Sequence, residues 1–253
     1  MADVCHAAHM NPSQIRAALE TMGRGANKRL GQHFLIDAAA LRAVVEGAQV
    51  EQGDKVVEIG PGLGVRTGEL LKRGANVVAI ERDRGLAAFL RTTFAHECKT
   101  GQLTLLEADA ADGAWLSQVS SGEWKCVSNL PYSITSLALR LALWAQNPPT
   151  RLSVLIQKEV AERLVDREKT SLVLLMAQLA SRSVHIARRV PPGAFYPPPK
   201  VDSAVFCAES LSHEARKERW GIEAERVMLL AKKGFAHPRK MLFSNLGLKE
   251  EQK

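Results

Sequence analysis

The heptapeptide Glu58-Ile59-Gly60-Pro61-Gly62-Leu63-Gly64 constrains this chain more than any other feature. It follows a short apolar run, Lys55–Ile59, and opens a helical stretch that continues through Glu69–Arg73. Alternate glycines let a strand turn sharply into a helix and bring the backbone close to a ligand. A dinucleotide fingerprint needs Gly-x-Gly-x-x-Gly. Here the third glycine comes one residue early and Val65 takes the expected place. That spacing argues against NAD or FAD and for a ligand without a pyrophosphate.

The same alternation runs on through the chain. Asn76–Ile80 is an apolar run ending in Glu81, and Arg84–His96 reads as a helix. Leu103–Glu107 is a strand ending near Asp109, and Trp124–Ser128 is a strand ending in Asn129-Leu130-Pro131-Tyr132. Thr135–Gln146 is helical and Arg151–Gln157 is a strand. Strands alternating with helices predict an α/β fold with a parallel sheet covered on both faces. Ligands of such sheets bind beyond the carboxyl ends of the strands. Gly60, Glu81, Asp109 and Asn129 all fall at those ends.

The flanks read more loosely. Asn11-Pro12-Ser13 starts a helix that runs to about Gly23. Gly23–His33 is glycine-rich and basic (Arg24, Lys28, Arg29), which predicts an exposed, mobile arm. Asp37 caps a helix with apolar positions Leu41, Val44, Val45 and Ala48. Glu159–Leu164 and Ser171–Ala180 read as helices. Ser183–Ala187 and Ser203–Ala208 read as strands, the second finishing the sheet as a late edge element. Past Ser210 the character changes to charged helices around Glu214–Arg219, Glu223–Lys233 and Lys240–Leu246. The expected organisation is an N-terminal helix and basic arm (1–36), an α/β domain (37–210) and a small helical domain (211–253).

Charge and cysteine usage narrow the class of partner. The 253 residues carry 34 Lys and Arg against 27 Asp and Glu, a net charge of +7. A basic excess of this size points to a polyanion, nucleic acid before membrane, although a merely soluble basic surface is the alternative. Basic pairs gather in the arm, at Arg188-Arg189, and at Lys232-Lys233 and Arg239-Lys240. Each alone fits a solvated face; together they fit phosphate contacts. The N-terminus lacks a secretory pattern and no stretch is apolar enough to span a membrane, so a cytoplasmic protein is expected. Cys5, Cys98, Cys126 and Cys207 are scattered, which supports neither a disulfide framework nor a zinc site. Cys5, His6 and His9 are read as a chain-end tail, and no metal is expected.

The residues at the strand ends suggest specific chemistry. Glu81 lies 21 positions after Gly60 and ends the next strand, where a carboxylate accepts hydrogen bonds from both ribose hydroxyls. Asp109 could accept from an adenine amino group, or could simply cap a helix before Ala111. An adenine amino nitrogen is a poor nucleophile because its lone pair is delocalised into the ring. The Asn129 side-chain oxygen and the Pro131 carbonyl are suited to accept its two protons and draw it toward tetrahedral geometry. Pro131 stiffens the loop, and Tyr132 offers a face for a base that has left its helix.

At this point the chain resembles the KsgA-type ribosomal RNA adenine dimethyltransferases, with the Erm-type resistance methylases as close relatives. The resemblance rests on KRLGQHFLID (Lys28–Asp37), VEIGPGLGVRTGELL (Val57–Leu71), IERD (Ile80–Asp83), EADA (Glu107–Ala110) and SNLPYS (Ser128–Ser133). It continues through QKEVAERL (Gln157–Leu164), FYPPPKVDS (Phe195–Ser203) and FAHPRKMLFSNL (Phe235–Leu246). It implies a Rossmann-like class I S-adenosylmethionine-dependent methyltransferase sheet with a small C-terminal helical domain. It implies that His33, Leu35, Gly60, Gly62, Glu81, Asp109 and Asn129 contact S-adenosylmethionine. Asn129, Pro131 and Tyr132 would hold the target adenine, and Phe195 would stack on its other face. The implied activity is transfer of two methyls to N6 of each of two adjacent adenosines near the 3′ end of small-subunit ribosomal RNA, during maturation of the subunit. The implied partner is a pre-ribosomal particle, with the enzyme a monomer.

This chain departs from the family pattern in four places. His33 stands where many members carry asparagine, the loop between Leu164 and Ser171 is shortened, Pro238 replaces a basic residue, and the C-terminal helical part is abbreviated. Three other readings compete: an Erm-type methylase of large-subunit RNA, a non-catalytic assembly or transcription factor with the same fold, and a methyltransferase for DNA or a small molecule. Asn-Leu-Pro-Tyr rather than an isoleucine variant leans toward the small-subunit enzyme, and the intact Gly60, Glu81, Asp109 and Asn129 argue against a pure binding protein. The basic surface and the C-terminal appendage argue against DNA and small-molecule substrates.

Overall fold

The computed structural model describes residues 10–27, 31–166, 168, 171–237 and 242–247. Lys28, Arg29, Pro238, Arg239, Lys240 and the Cys5-His6-His9 cluster lie outside the described residues. The elements run α1 (Pro12–Thr21), β1 (Phe34–Leu35), α2 (Ala38–Gly47), β2 (Lys55–Ile59), α3 (Val65–Lys72), β3 (Asn76–Glu81), α4 (Arg84–Thr93), α5 (Ala95–Thr100) and β4 (Leu103–Glu107). They continue with β5 (Lys125–Asn129), α6 (Thr135–Leu143), β6 (Arg151–Gln157), α7 (Lys158–Val165), α8 (Leu172–Ala180), β7 (Ser181–Val190), β8 (Phe195–Tyr196) and β9 (Ser203–Ser210). Three helices close the described chain: α9 (His213–Trp220), α10 (Ala224–Gly234) and α11 (Leu242–Leu246).

The main sheet has seven strands in the order β4-β3-β2-β5-β6-β9-β7. The first five are mutually parallel, as the alternation of elements requires. β9 runs antiparallel to both β6 and β7, so the sheet is mixed. Ser203–Ser210 is therefore not the edge element expected; β7 is. The reason is side-chain character. β9 is buried at six consecutive positions, whereas β7 exposes Arg182, His185, Arg188 and Arg189, the charged pattern that keeps an open edge from pairing with another chain.

Strand alternation splits the core between the two faces. Val57, Ile59, Val78, Ile80, Val154 and Phe206 bury on one side. Val56, Val77, Ala79, Val127, Leu155 and Val205 bury on the other, against α2. Both are the period-two pattern of strands covered on both faces. The chain passes from β2 outward to β4, then returns to β5 on the other side of β2. The resulting switch point lies between the carboxyl ends of β2 and β5, where a crevice must open.

The helix starts follow local chemistry. Asn11 and Gln14 form a reciprocal capping box at α1, and Asp37 caps α2 by accepting from Ala40 N at 2.6 Å. The single helix expected over Arg84–His96 breaks at Phe94, whose wholly buried ring fills the space above Gly64. The C-terminal helices pack on the first core face through Ala224 and Met228. Arg216, 1% exposed, donates from Nε to the Leu211 carbonyl at 3.0 Å and from Nη2 to the Leu143 carbonyl at 2.5 Å.

Candidate active site

The glycine turn forms the floor of a cleft of about 160 Å³ at the β2/β5 switch point. Gly60, Gly62 and Gly64 all have positive φ, at 68°, 61° and 84°, where an L side chain is strained. Packing adds a second demand at two of them. A Cβ on Gly62 would come within 3.3 Å of the Phe34 ring, and one on Gly64 within 2.5 Å of Phe94 Cε2 and 2.8 Å of Leu90 Cδ2. Gly64 thus seats α4 and α5 against the start of α3, and Gly60 and Gly62 keep the floor bare for a ligand.

A buried polar trio beneath the turn, an ion pair with a threonine, carries no sequence motif of its own. Glu58 is fully buried in β2; its Oε1 lies 2.8 Å from Arg66 Nε and its Oε2 accepts from Thr67 Oγ1 at 2.7 Å. Arg66 Nη2 donates to the Gly60 carbonyl at 3.0 Å. Burial pushes the Glu58 carboxyl up, and Arg66 and Thr67 pull it back. The trio staples the strand to the helix on either side of the turn. The available signal was a glutamate inside an otherwise apolar strand.

Glu81, at the end of β3, lines the cleft while only 7% exposed. Its Oε1 accepts from Asp83 N at 2.8 Å and its Oε2 from Gly62 N at 3.2 Å. Burial pushes its pKa up to about 7, against the two backbone donors. Each oxygen keeps acceptor capacity, so the carboxylate can take two further donors from the cleft. Asp109 also lines the cleft. Its Oδ1 accepts from Ala111 N at 3.0 Å, which is the capping role, and its Oδ2 pairs with Arg82 at 3.0 Å.

Asn129 ends β5 directly across from Gly60; a Cβ built on Gly60 would lie 3.6 Å from the Asn129 carbonyl oxygen. Its Nδ2 donates to the His33 carbonyl at 3.1 Å, which orients the amide and leaves its oxygen as acceptor. The Pro131 carbonyl accepts from Ile134 N at 3.1 Å and from Thr135 Oγ1 at 3.3 Å, so it already closes the turn into α6. Tyr132 is held on two sides: its hydroxyl shares a 2.7 Å hydrogen bond with Ser203, and its ring stacks on His33 at 6.0 Å and 26°. Burial pushes the Tyr132 hydroxyl pKa up, partly offset by Ser203. His33 Nδ1 lies 2.7 Å from the Pro197 carbonyl, its hydrogen-bond partner.

His33, Leu35, Gly60, Gly62, Glu81, Asp109, Asn129, Pro131 and Tyr132 thus share one cleft. Phe195 does not join them. It pairs with Leu35 in a short antiparallel bridge between β1 and β8, and its ring is 3% exposed in the second core face with Val190 and Val205. That bridge, which the sequence did not suggest, carries the N-terminal segment across the cleft. Arg24 and Gln32 are correspondingly less free than expected, since both bind Asp83. Burial alone would raise the Asp83 pKa, but hydrogen bonds from Arg24, Leu86 and Gln32 outweigh it and hold the carboxyl below the usual range.

A nucleoside sulfonium needs a carboxylate for its ribose, an acceptor for its adenine and apolar walls. Glu81, Asp109, Ile59, Ile80 and Leu130 supply these around a floor bared by glycines, so the residues present fit such a ligand. Among the described residues no helix is long and apolar enough to cross a membrane.

Comparison with known proteins agrees with this geometry. A family model described as ribosomal RNA adenine dimethylase matches residues 23–246. A ribosomal RNA small subunit methyltransferase A from Anaeromyxobacter dehalogenans (strain 2CP-C) is 40% identical over 250 residues, covering 92% of this chain and 83% of the relative. The protein of the same name from Prochlorococcus marinus (strain MIT 9313) is 37% identical over 233 residues, covering 88% and 81%. Among solved structures, a dimethyladenosine transferase from Plasmodium falciparum superposes with a TM-score of 0.69 at 23% identity, covering 84% of this chain and 74% of that one. The 23S rRNA methyltransferase ErmE superposes with a TM-score of 0.63 at 24% identity, covering 84% and 83%. These two likenesses establish the Rossmann-like class I methyltransferase fold. With the family model spanning 23–246 and relatives at 37% and 40% identity, this chain belongs to the ribosomal RNA adenine dimethylase family.

Proposed function

We propose that this protein transfers methyl groups from S-adenosylmethionine to N6 of two adjacent adenosines near the 3′ end of small-subunit ribosomal RNA, giving N6,N6-dimethyladenosines during subunit maturation. One observation carries the reading: Asn129, its amide oriented by the His33 carbonyl, faces the glycine turn across a cleft that also holds the buried Glu81. The cofactor, when bound, would supply an electrophilic methyl on a sulfonium sulfur, which keeps the C–S bonding pair and departs as a neutral thioether. Glu81 would accept both ribose hydroxyls, Asp109 the adenine amino group, and His33, Leu35, Gly60 and Gly62 would shape the walls and floor.

On the substrate side the Asn129 oxygen accepts one proton of the target amino group. The Pro131 carbonyl accepts the other once the Thr135 hydroxyl, its longer donor at 3.3 Å, turns away, with Ile134 N keeping the second lone pair. Drawing both protons aside localises the nitrogen lone pair toward the methyl. No general base is needed before transfer, because the methylated nitrogen becomes positive and sheds its extra proton to solvent only afterwards, so positioning and electrostatics dominate. Tyr132, clamped by His33 and Ser203, stacks on the flipped base. A stack on the opposite side by Phe195 requires its ring to leave the core.

The segment 211–253 and the basic arm supply RNA affinity, the partner is a pre-ribosomal particle, and the enzyme works as a monomer in the cytoplasm. The relatives named for the small subunit favour that RNA over the large one. The test is methyl transfer to purified small and large ribosomal subunits, followed by mapping of the modified base. Modification of the large subunit alone would replace this reading with the Erm-type one.

A further inference from the structure

Arg24 lies in a stretch whose composition suggests a free basic arm, yet its guanidinium is used inside the protein. Both terminal nitrogens donate to the two oxygens of Asp83, whose side chain is 6% exposed. Gln32 Nε2 adds a bond to Asp83 Oδ2 at 3.0 Å, and Gln32 Oε1 accepts from Asn27 N at 2.8 Å. A Cβ on Gly85 would lie 2.8 Å from Arg24 Nη1, so the glycine in the first turn of α4 leaves room for the arginine. Asp83 also caps α4, accepting from Gly85 N and Leu86 N. Its own N–H donates to Glu81 Oε1 at 2.8 Å. The anchored segment is part of the site: Met10, Ile15, Gly31, Gln32 and His33 form one wall of the cleft. Behind that wall is a small core of Met10, Ile15, Leu19, Phe34, Leu63 and Leu86.

We propose that Arg24 is a positioning residue for the cofactor: its pair with Asp83 straps the N-terminal segment across the cleft and holds Glu81 in place through the Asp83 amide. The inference rests on the reading of Glu81 as the ribose acceptor. A segment held by one small apolar core opens locally at lower free energy than the central sheet, and the bidentate, charge-assisted pair on the buried Asp83 adds to what keeps it shut. When the segment opens, the wall is lost and water reaches Glu81. A ligand that needs the closed form then binds with an affinity reduced by the closed fraction.

The test uses the full chain with Arg24→Gln, Arg24→Lys and Asp83→Asn, the last retaining a helix cap while weakening the pair. Calorimetry with S-adenosylhomocysteine should show affinity about tenfold weaker for Arg24→Gln, partly restored in Arg24→Lys. The cofactor KM should rise with kcat little changed. Amide exchange in α1 and over 31–36 should accelerate without ligand, return toward wild type at saturation, and stay unchanged in β2 to β6. A purely structural arginine would lower the melting temperature and leave affinity and exchange in α1 alone. Should Arg24→Gln not fold, Arg24→Lys and Asp83→Asn carry the measurement. Wild-type affinity in the arginine and Asp83 variants, while Glu81→Ala loses binding, would overturn the strap and leave the Glu81 reading standing. Wild-type affinity in Glu81→Ala as well would overturn both.

Discussion

Replacing Glu81 by glutamine separates two effects that one carboxylate combines. In the free protein the group is costly. Burial raises its pKa from 4.5 to about 7. The folded protein therefore keeps a proton that the unfolded chain has released, and stability falls as pH rises from about 4.5 to about 7. At one pKa unit per 1.36 kcal/mol the ionised form costs about 3 kcal/mol. Glutamine removes that cost but turns an NH₂ toward either Gly62 N–H or Asp83 N–H, which returns about 1–3 kcal/mol. The two nearly cancel, so Glu81→Gln should change the urea midpoint little at neutral pH and should abolish the pH step. Ligand binding behaves differently. Ribose hydroxyls donate to the carboxylate, so wild-type affinity should rise with pH through about 7. The amide keeps one acceptor and no charge. Losing one charge-assisted bond of about 1.5–3 kcal/mol weakens binding roughly 10- to 100-fold. Calorimetric titration of S-adenosylhomocysteine across pH, with urea melts in the same buffers, measures both. Wild-type affinity in the variant above the titration, or a flat wild-type profile through it, would refute the reasoning.

Three further outcomes are expected. Asn129→Ala should fold, still bind RNA and lose turnover by roughly 100-fold or more, since its oxygen acts on the reacting nitrogen; transfer of a labelled methyl group reads this directly. Gly64→Ala should cost about 2–4 kcal/mol in a urea melt, because the position combines a φ of 84° with a Cβ only 2.5 Å from the Phe94 ring. Replacing Lys232, Lys233, Arg239 and Lys240 by alanine should weaken subunit binding and flatten its salt dependence, with a slope change of ~0.7–0.9 per lost phosphate contact and cofactor affinity unchanged; equal binding at all salt concentrations would return these residues to a solvated face.

The five parallel strands, the glycine turn and the residues at the strand ends were legible in the sequence because each depends on local information. Lys55–Ile59, Leu103–Glu107 and Arg151–Gln157 are apolar runs of strand length closed by turn residues, and their ends fall where the structure has them. The early third glycine argued against a dinucleotide from spacing alone, and Glu81 and Asn129 could be placed in one crevice because alternating strands and helices leave only one kind of crevice. Partner choice across the chain was not legible. The order of β9 and β7 depends on which strand can be buried on both faces, and the β1–β8 bridge joins residues 34–35 to 195–196 with no periodic signal in either. Arg24 meets Asp83 across 59 positions, and neither residue differs in type from a solvated surface charge. Phe195 reads in sequence as an aromatic near the site, but the β1–β8 bridge sets its ring in the core beside the cleft. Periodicity and turn residues act over a few positions and are written in the chain; the burial of one charge against another, or of a ring beneath a cleft, is decided only when distant segments compete for the same space.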